Sequence, residues 1–145
     1  MAAVRPATLS DIDRIHAVEL ACSRNPWTRD GIASGVSNRN SIFLAAEDEE
    51  NRIVGFVCSS LVLDELHIQE VAVDRYCRNR GLGALLINQL LQTAAAENAK
   101  RAYLEVRRSN RAAIRLYEKC GFAEEAVRTA FYGDGEDAVF MSINI

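Results

Sequence analysis

The chain is poor in the residues that build metal sites and crosslinks. It carries two histidines and four cysteines. Cys22, Cys58, Cys77 and Cys120 stand far apart, with no Cys-x-x-Cys pair, so neither a metal site nor a redox pair is expected and the thiols read as reduced and structural. No apolar run approaches the length of a membrane span, and the N-terminal stretch lacks the apolar centre of a signal peptide. A cytoplasmic protein with no membrane partner is the expectation. Lys and Arg number 17 against 20 Asp and Glu, a net charge of −3, and no basic run suggests direct nucleic-acid binding. A mildly acidic surface suits a cationic substrate instead. Repeats, linkers and low-complexity tracts are missing too. What remains is ordinary: 145 residues, 49% hydrophobic and 26% charged, enough for a single domain over residues 1–145 with a real core.

The most informative stretch runs from His67 to Leu91. Ile68 to Val73 is rich in β-branched residues and reads as a buried strand. From Leu82 the apolar residues shift to helical spacing, with Leu82, Leu85, Leu86 and Leu90 on one stripe. Between them lie Arg78, Asn79, Arg80, Gly81, Leu82 and Gly83. A glycine turn that opens a helix leaves N–H groups unpaired at the positive end of the helix dipole, where diphosphate oxygens fit. Gly81 and Gly83 permit close approach, and Arg78 and Arg80 add charge from the flanks. Three phosphate-binding templates compete here. A P-loop needs Gly-Lys-Ser/Thr, but Ala84 and Leu85 follow Gly83. A dinucleotide fingerprint needs a third glycine where Leu86 stands, although Glu105 sits near the expected acidic position. Arg/Gln-x-x-Gly-x-Gly/Ala after a strand is met in full by Arg78, Gly81 and Gly83.

The other elements follow in order. Val4 to Ala7 is predicted as a strand. Ser10 reads as an N-cap with Asp13 at the third helical position, ahead of a helix bearing Ile12, Ile15, Val18 and Leu20. Pro26 breaks the chain and Thr28 caps a second short helix. Ser41–Ala46 and Ile53–Leu63 are predicted strands, joined by the acidic turn Glu47–Asn51 and continuing into Ile68–Val73 as an antiparallel meander. Arg101–Arg107 is the next strand. Asn110 begins a helix with Ala113, Ile114, Leu116 and Tyr117 inward, and Gly121 ends it. Phe122–Val127 and Ala138–Ile143 close the chain around the Gly133-Asp134-Gly135 turn.

The Arg78, Gly81, Gly83 pattern resembles the acetyl-CoA signature of the GNAT N-acetyltransferase superfamily, and Asn110-x-x-Ala113-x-x-x-Tyr117-x-x-x-Gly121-Phe122 resembles its second motif. Asn25-Pro26-Trp27-Thr28, Leu104-Glu105-Val106-Arg107-x-Ser109-Asn110, Leu116-Tyr117-Glu118-x-x-Gly121-Phe122 and Glu136-Asp137-Ala138-x-x-Met141 resemble the RimI family of ribosomal-protein-alanine N-acetyltransferases. The resemblance implies an α/β GNAT fold: a mixed, mainly antiparallel sheet with a splayed parallel pair and helices on both faces. It implies acetyl-CoA as co-substrate, without a metal, held by the backbone of Val71, Ala72 and Val73, by Arg78, Asn79, Arg80, Gly81, Leu82, Gly83 and Ala84, and by the side chain of Asn110. The acceptor partner it implies is the N-terminus of a ribosomal protein, the alanine of the small-subunit protein numbered eighteen, or of another protein. Glu105 matches the family's proton acceptor and Tyr117 its proton donor. Trp27, Phe131 and Tyr132 are expected to hold the acceptor. Taken alone, Glu105 reads as a solvent-facing carboxylate, Tyr117 as core and Asn110 as an N-cap, and their joint spacing gives these three roles; Trp27 by side-chain type reads as a core anchor or a substrate contact.

The chemistry can be built independently. The attacking amine must be neutral, and an α-amine near pKa 8 is deprotonated more readily than a lysine near 10.4, a gap of about 2.5 units or roughly 3.4 kcal/mol. No cysteine falls in the matched motifs to carry an acyl group, so direct attack in a ternary complex is expected. His67 stands where many GNAT members keep a general base, and Glu70 where RimI relatives often have asparagine. Other readings are a small-molecule amine acetyltransferase, a non-catalytic acyl-CoA sensor and, more distantly, a dinucleotide-binding domain.

Overall fold

The computed structural model describes residues 2–145. Seven strands form one sheet in the order β1-β2-β3-β4-β5-β7-β6: β1 (Ala3–Pro6), β2 (Ser41–Glu47), β3 (Ile53–Val62), β4 (Glu65–Val73), β5 (Arg101–Arg107), β6 (Ala123–Arg128) and β7 (Ala138–Asn144). Four helices accompany them: α1 (Ile12–Cys22), α2 (Arg29–Ser37), α3 (Leu82–Ala96) and α4 (Arg111–Lys119). β1 to β4 are antiparallel neighbours, β4 and β5 pair in parallel, and β7 lies antiparallel between β5 and β6. The mixed, mainly antiparallel sheet expected above is what forms. No described helix is long and apolar enough to cross a membrane.

Alternation along the strands feeds two cores, one per sheet face. On one face Ile42, Leu44, Val57, Leu66, Ile68 and Leu104 meet Leu82, Leu86, Ile87 and Leu90 of α3 and Tyr117 of α4. On the other, Phe43, Ala45, Phe56, Cys58 and Ala72 meet Ile12, Ile15 and Val18 of α1 and Ile32 of α2. This second layer covers β2 to β4 only. Among the described residues no helix of this layer packs on the same face of β5 and β7, which carries Tyr103, Glu105 and Phe140.

β4 changes phase partway along. Ile68 pairs with Ser59 and Glu70 with Cys58, which leaves Gln69 as an extra, exposed residue. Leu66 and Ile68 before this bulge pack on the α3 side, and so do Val71 and Val73 after it. Without the bulge one of those pairs would turn away from its core, at about 1.5–3 kcal/mol per side chain.

Three local expectations are corrected. Helix α1 is preceded by a 3₁₀ turn, Leu9–Asp11. Thr8, not Ser10, starts it: the Asp11 carboxylate accepts the Thr8 backbone N–H at 2.8 Å and its hydroxyl at 3.1 Å. Arg5 clamps the same carboxylate at 2.7 and 2.9 Å, holding Asp11 low, at about 2. Leu20 is 56% exposed while Glu19 is fully buried, because successive helical residues turn by about 100° and position 19, not 20, continues the stripe of Ile12 and Ile15. Leu85 is likewise exposed at the edge of the α3 stripe. Thr28, Asn110 and Gly121 stand as expected: the first two side chains accept the N–H groups of Gly31 at 3.0 Å and Ala113 at 3.2 Å, and Gly121 takes φ +102° after α4.

Candidate active site

The β4–β5 pairing is short. Glu65, Leu66 and His67 face Arg101, Ala102 and Tyr103, and there it stops, while both strands continue. The closed end is fastened by the Lys100 N–H to the Asp64 carbonyl at 2.7 Å, by Arg101 bridging Glu65 and Glu125, and by the His67 ring lying flat on Tyr103 with centroids 4.7 Å apart. Beyond it, Ile68 to Val73 has no β5 partner, so β4 offers an unpaired backbone edge that an extended ligand can join as a further strand. Val71, Ala72 and Val73 lie on that edge.

The turn after β4 has the geometry of an anion cradle. Asn79 takes φ +63° and Gly81 φ +76°, and alternating left-handed residues direct successive N–H groups to one side. Gly81 is the N-cap of α3, so the free N–H groups of Leu82, Gly83 and Ala84 gather at the positive end of a fifteen-residue helix. The two glycines differ in purpose. A Cβ on Gly81 would meet nothing, whereas one on Gly83 would stand 2.9 Å from Leu116, so Gly83 lets α4 close against α3. Arg80 is exposed and lines a cavity of about 490 Å³ with Cys77, Leu82 and Leu85. Arg78 does not reach along the flank of the turn. Its guanidinium folds back to the Val73 carbonyl at 3.1 Å and the Cys22 sulfur at 3.4 Å, capping the end of β4.

Glu105 and Tyr117 belong to opposite faces of the sheet. Glu105 stands on β5, on the face without a helix, and its Oε2 lies 2.6 Å from His67 Nε2. Half-buried and tied to a ring that is itself stacked on Tyr103, this carboxylate is held rather than free in solvent. Tyr117 comes from α4 on the other face, 9% exposed, its ring edge-on to Phe122. Burial pushes its hydroxyl up to about 12, with Glu70 and Tyr132 adding to the rise. A hydroxyl so raised keeps its proton and is suited to donate it.

The loop beside β7 is aromatic. Phe131 and Tyr132 pack edge to face at 5.1 Å, Phe131 meets Phe140 at 5.6 Å, and Arg107 covers the Tyr132 ring at 4.1 Å. Glu136 ties this loop to the end of β5, accepting from Arg107 and from the Ser109 N–H, both at 2.9 Å. Trp27 is half-buried against the α1–α2 core, and its backbone N–H donates to Glu19 Oε2 at 3.0 Å. Arg24 and Asp134, 3.9 Å apart, bring the two loops toward each other.

Glu19 is a buried carboxylate that sequence reasoning passed over. A carboxylate in register with Ile12 and Ile15 was the available signal. It faces Glu70 on β4, whose carboxyl is pushed up to about 8 by burial first and by Glu19 second. Among the described residues no three His, Cys, Asp or Glu side chains gather as a metal site.

These features have close parallels. The model of the acetyltransferase (GNAT) family matches residues 12–122. The ribosomal protein bS18-alanine N-acetyltransferase of Escherichia coli (strain K12) is 32% identical over 139 residues, covering 94% of this chain and 93% of its own. The crystal structure of the ribosomal-protein-S18-alanine N-acetyltransferase from Escherichia coli aligns with TM-score 0.91 at 30% identity, over 100% of this chain and 94% of that one. Ard1 from Thermoplasma volcanium aligns with TM-score 0.90 at 26% identity, over 99% and 97%.

Proposed function

This chain belongs to the acetyltransferase (GNAT) family, and from that premise we propose that it transfers acetyl from acetyl-CoA to a protein N-terminal α-amine in the cytoplasm. The alanine that begins a bS18-type ribosomal protein is its best single acceptor, on the likeness to the Escherichia coli enzyme. What supports the reading is the Glu105 carboxylate held by His67 where the β4–β5 pairing ends, together with the buried Tyr117 phenol on the helix that follows β5.

In this reading the pantetheine arm extends along Val71 to Val73, and the diphosphate rests on the Asn79–Ala84 turn. Arg78 leaves the Val73 carbonyl and swings toward the phosphates when the arm takes over that backbone acceptor. Asn110 fixes the start of α4, which presents Tyr117. The acceptor enters over the uncovered face of β5 between Trp27 and the Phe131–Tyr132 loop. Glu105 takes a proton from the amine, directly or through one water. The nitrogen lone pair forms the bond to the thioester carbonyl carbon, and a backbone N–H near Val71 steadies the oxyanion. As the C–S bond breaks, Tyr117 gives its proton to the leaving sulfur. The products are an amide and coenzyme A thiol, and the proton on Glu105 restores Tyr117 through solvent. No covalent acyl-enzyme is required.

The test is mass spectrometry of two peptides incubated with the protein and acetyl-CoA, one with a free N-terminal alanine, the other blocked there but carrying a lysine. A gain of one acetyl on the first alone, lost in Glu105→Gln, is the expected result. Gain on neither, with spermidine acetylated instead, moves the acceptor to small-molecule amines.

A further inference from the structure

The cations of this chain fall into two groups. Most of the arginines are held by partners: Arg5, Arg14, Arg29, Arg52, Arg101 and Arg107 each meet a carboxylate, Arg78 is taken by the Val73 carbonyl and Arg128 by the Phe140 ring. Among the described residues Arg75, Arg80, Arg111, Arg115 and Lys119 have no such partner. The first two flank the turn between β4 and α3, and the other three belong to α4. Arg39 and Lys100 are unpaired too, at the opposite end of the sheet, ahead of β2 and β5.

Arg111, Arg115 and Lys119 stand four residues apart, one above another on the exposed side of α4. Like charges at that spacing destabilise a helix. Arg111 also opens the helix, where the dipole favours an acid, and Glu118 makes no ion pair with any of the three. Helix stability does not account for the stripe.

Its position does. A Cβ on Gly83 would stand 2.9 Å from Leu116, so α4 lies directly against the opening turn of α3, where the N–H groups of the anion cradle gather. α3 carries no charged residue from Leu82 to Ala96, so nothing on it competes with the stripe for an anion. On the other flank of the cradle Arg80 shares its cavity with the acidic turn at Asp48 and Glu50. A second anion beside the cradle is therefore disfavoured on that side and drawn to α4. Coenzyme A carries one. Beyond its diphosphate the ribose bears a phosphate monoester on C3′, with a charge of about −1.5 to −2 at pH 7. Guanidinium forks one helical turn apart match its oxygens, and a lysine adds a point charge.

We infer that the Arg111–Arg115–Lys119 stripe of α4 holds the 3′-phosphate of coenzyme A, with Arg115 at its centre, and so sets a preference for the whole cofactor over forms that lack this group. The inference rests on the acetyl-CoA reading above and adds the anchor of the nucleotide end. The stripe takes no part in the transfer itself, so its effect falls on binding.

Calorimetric titration of coenzyme A and of 3′-dephospho-coenzyme A into the protein, at about 50 and about 300 mM KCl, reads the anchor without any acceptor. Wild type should bind coenzyme A about 10- to 30-fold more tightly than the dephospho form at the lower salt, and the ratio should fall about threefold at the higher. Arg115→Gln should bring the ratio within about threefold by weakening coenzyme A alone, and Arg115→Lys should keep part of it. Arg39→Gln, at the far end of the sheet, should leave the ratio as in wild type. A wild-type ratio within about twofold at low salt removes the anchor while the acetyl-CoA reading stands. So does a ratio unchanged both in Arg115→Gln and in the variant with Arg111, Arg115 and Lys119 all replaced by Gln. Equal weakening of the two ligands in Arg115→Gln makes that residue a prop of the fold and likewise removes the anchor. Binding of neither ligand by wild type overturns the anchor and the acetyl-CoA reading together.

Discussion

Glu70 and Glu105 border one gap from its two strands, and their neighbours could hardly differ more. Glu105 has a histidine at 2.6 Å, which is in turn stacked on Tyr103. Glu70 has a second carboxyl and a buried thiol. The first setting holds a carboxylate in one orientation through a neighbouring ring. The second forces a carboxyl to keep its proton. Residue type therefore says little about acid–base role here; the partner across the strand or helix decides it, as in other sites where two carboxyls are driven apart.

The largest effect that would break this contrast is Glu105→Gln, which should lower kcat about 10²- to 10³-fold while the KM for acetyl-CoA changes little. Steady-state kinetics at fixed pH would show it, and a loss below threefold would remove Glu105 as the base. Tyr117→Phe should cost about 10- to 100-fold in kcat. Because the buried phenol titrates only near 12, the wild-type rate should show no limb assignable to it between pH 6 and 9. His67→Gln retains a donor for Glu105 and should lose about threefold, whereas His67→Phe keeps the stack on Tyr103 without the donor and should lose about tenfold. Equal losses in the two variants would mean that His67 serves only to pack.

The remaining tests concern stability and have opposite signs. Glu70 is raised from an ordinary 4.5 to about 8, so the folded chain holds a proton there that the unfolded chain has lost. That contribution is whole below pH 4.5 and drains away as pH rises through 8. Thermal melts should find Glu70→Gln increasingly more stable than wild type from pH 5 to pH 8.5, by a few degrees. Asp11 runs the other way, held at about 2 by Arg5 and Thr8. Its contribution is present above 3.8 and lost as pH falls through 2. Asp11→Asn should cost roughly 1–2 kcal/mol at pH 7, and the deficit should shrink in acid.

Much of this was readable beforehand. Arg101–Arg107 forms the strand its alternation predicts, and the glycine turn stands at the mouth of α3 because Gly81 and a helical stripe are local signals. What escaped reading depends on partners far along the chain. Leu20 and Leu85 looked inward by hydrophobicity, yet helix phase turned them out. Arg78 matched the phosphate pattern, but the carbonyl of Val73, at the end of β4, and the sulfur of Cys22 hold its side chain. Glu19 was missed because its meaning comes from Glu70, on a strand packed from the opposite direction. The tie between His67 and Glu105 depends on a parallel register that no local pattern encodes.

Gln69 is exposed, yet it governs the parity of β4. Removing it would leave the composition of the strand almost untouched while sending Glu70 to the side of α3 and Val71 and Val73 to the side of α1. Length at one position thus acts as an address label for an acid. A relative with one residue fewer between its counterparts of His67 and Val71 would carry the same letters and present its carboxyl to the wrong core.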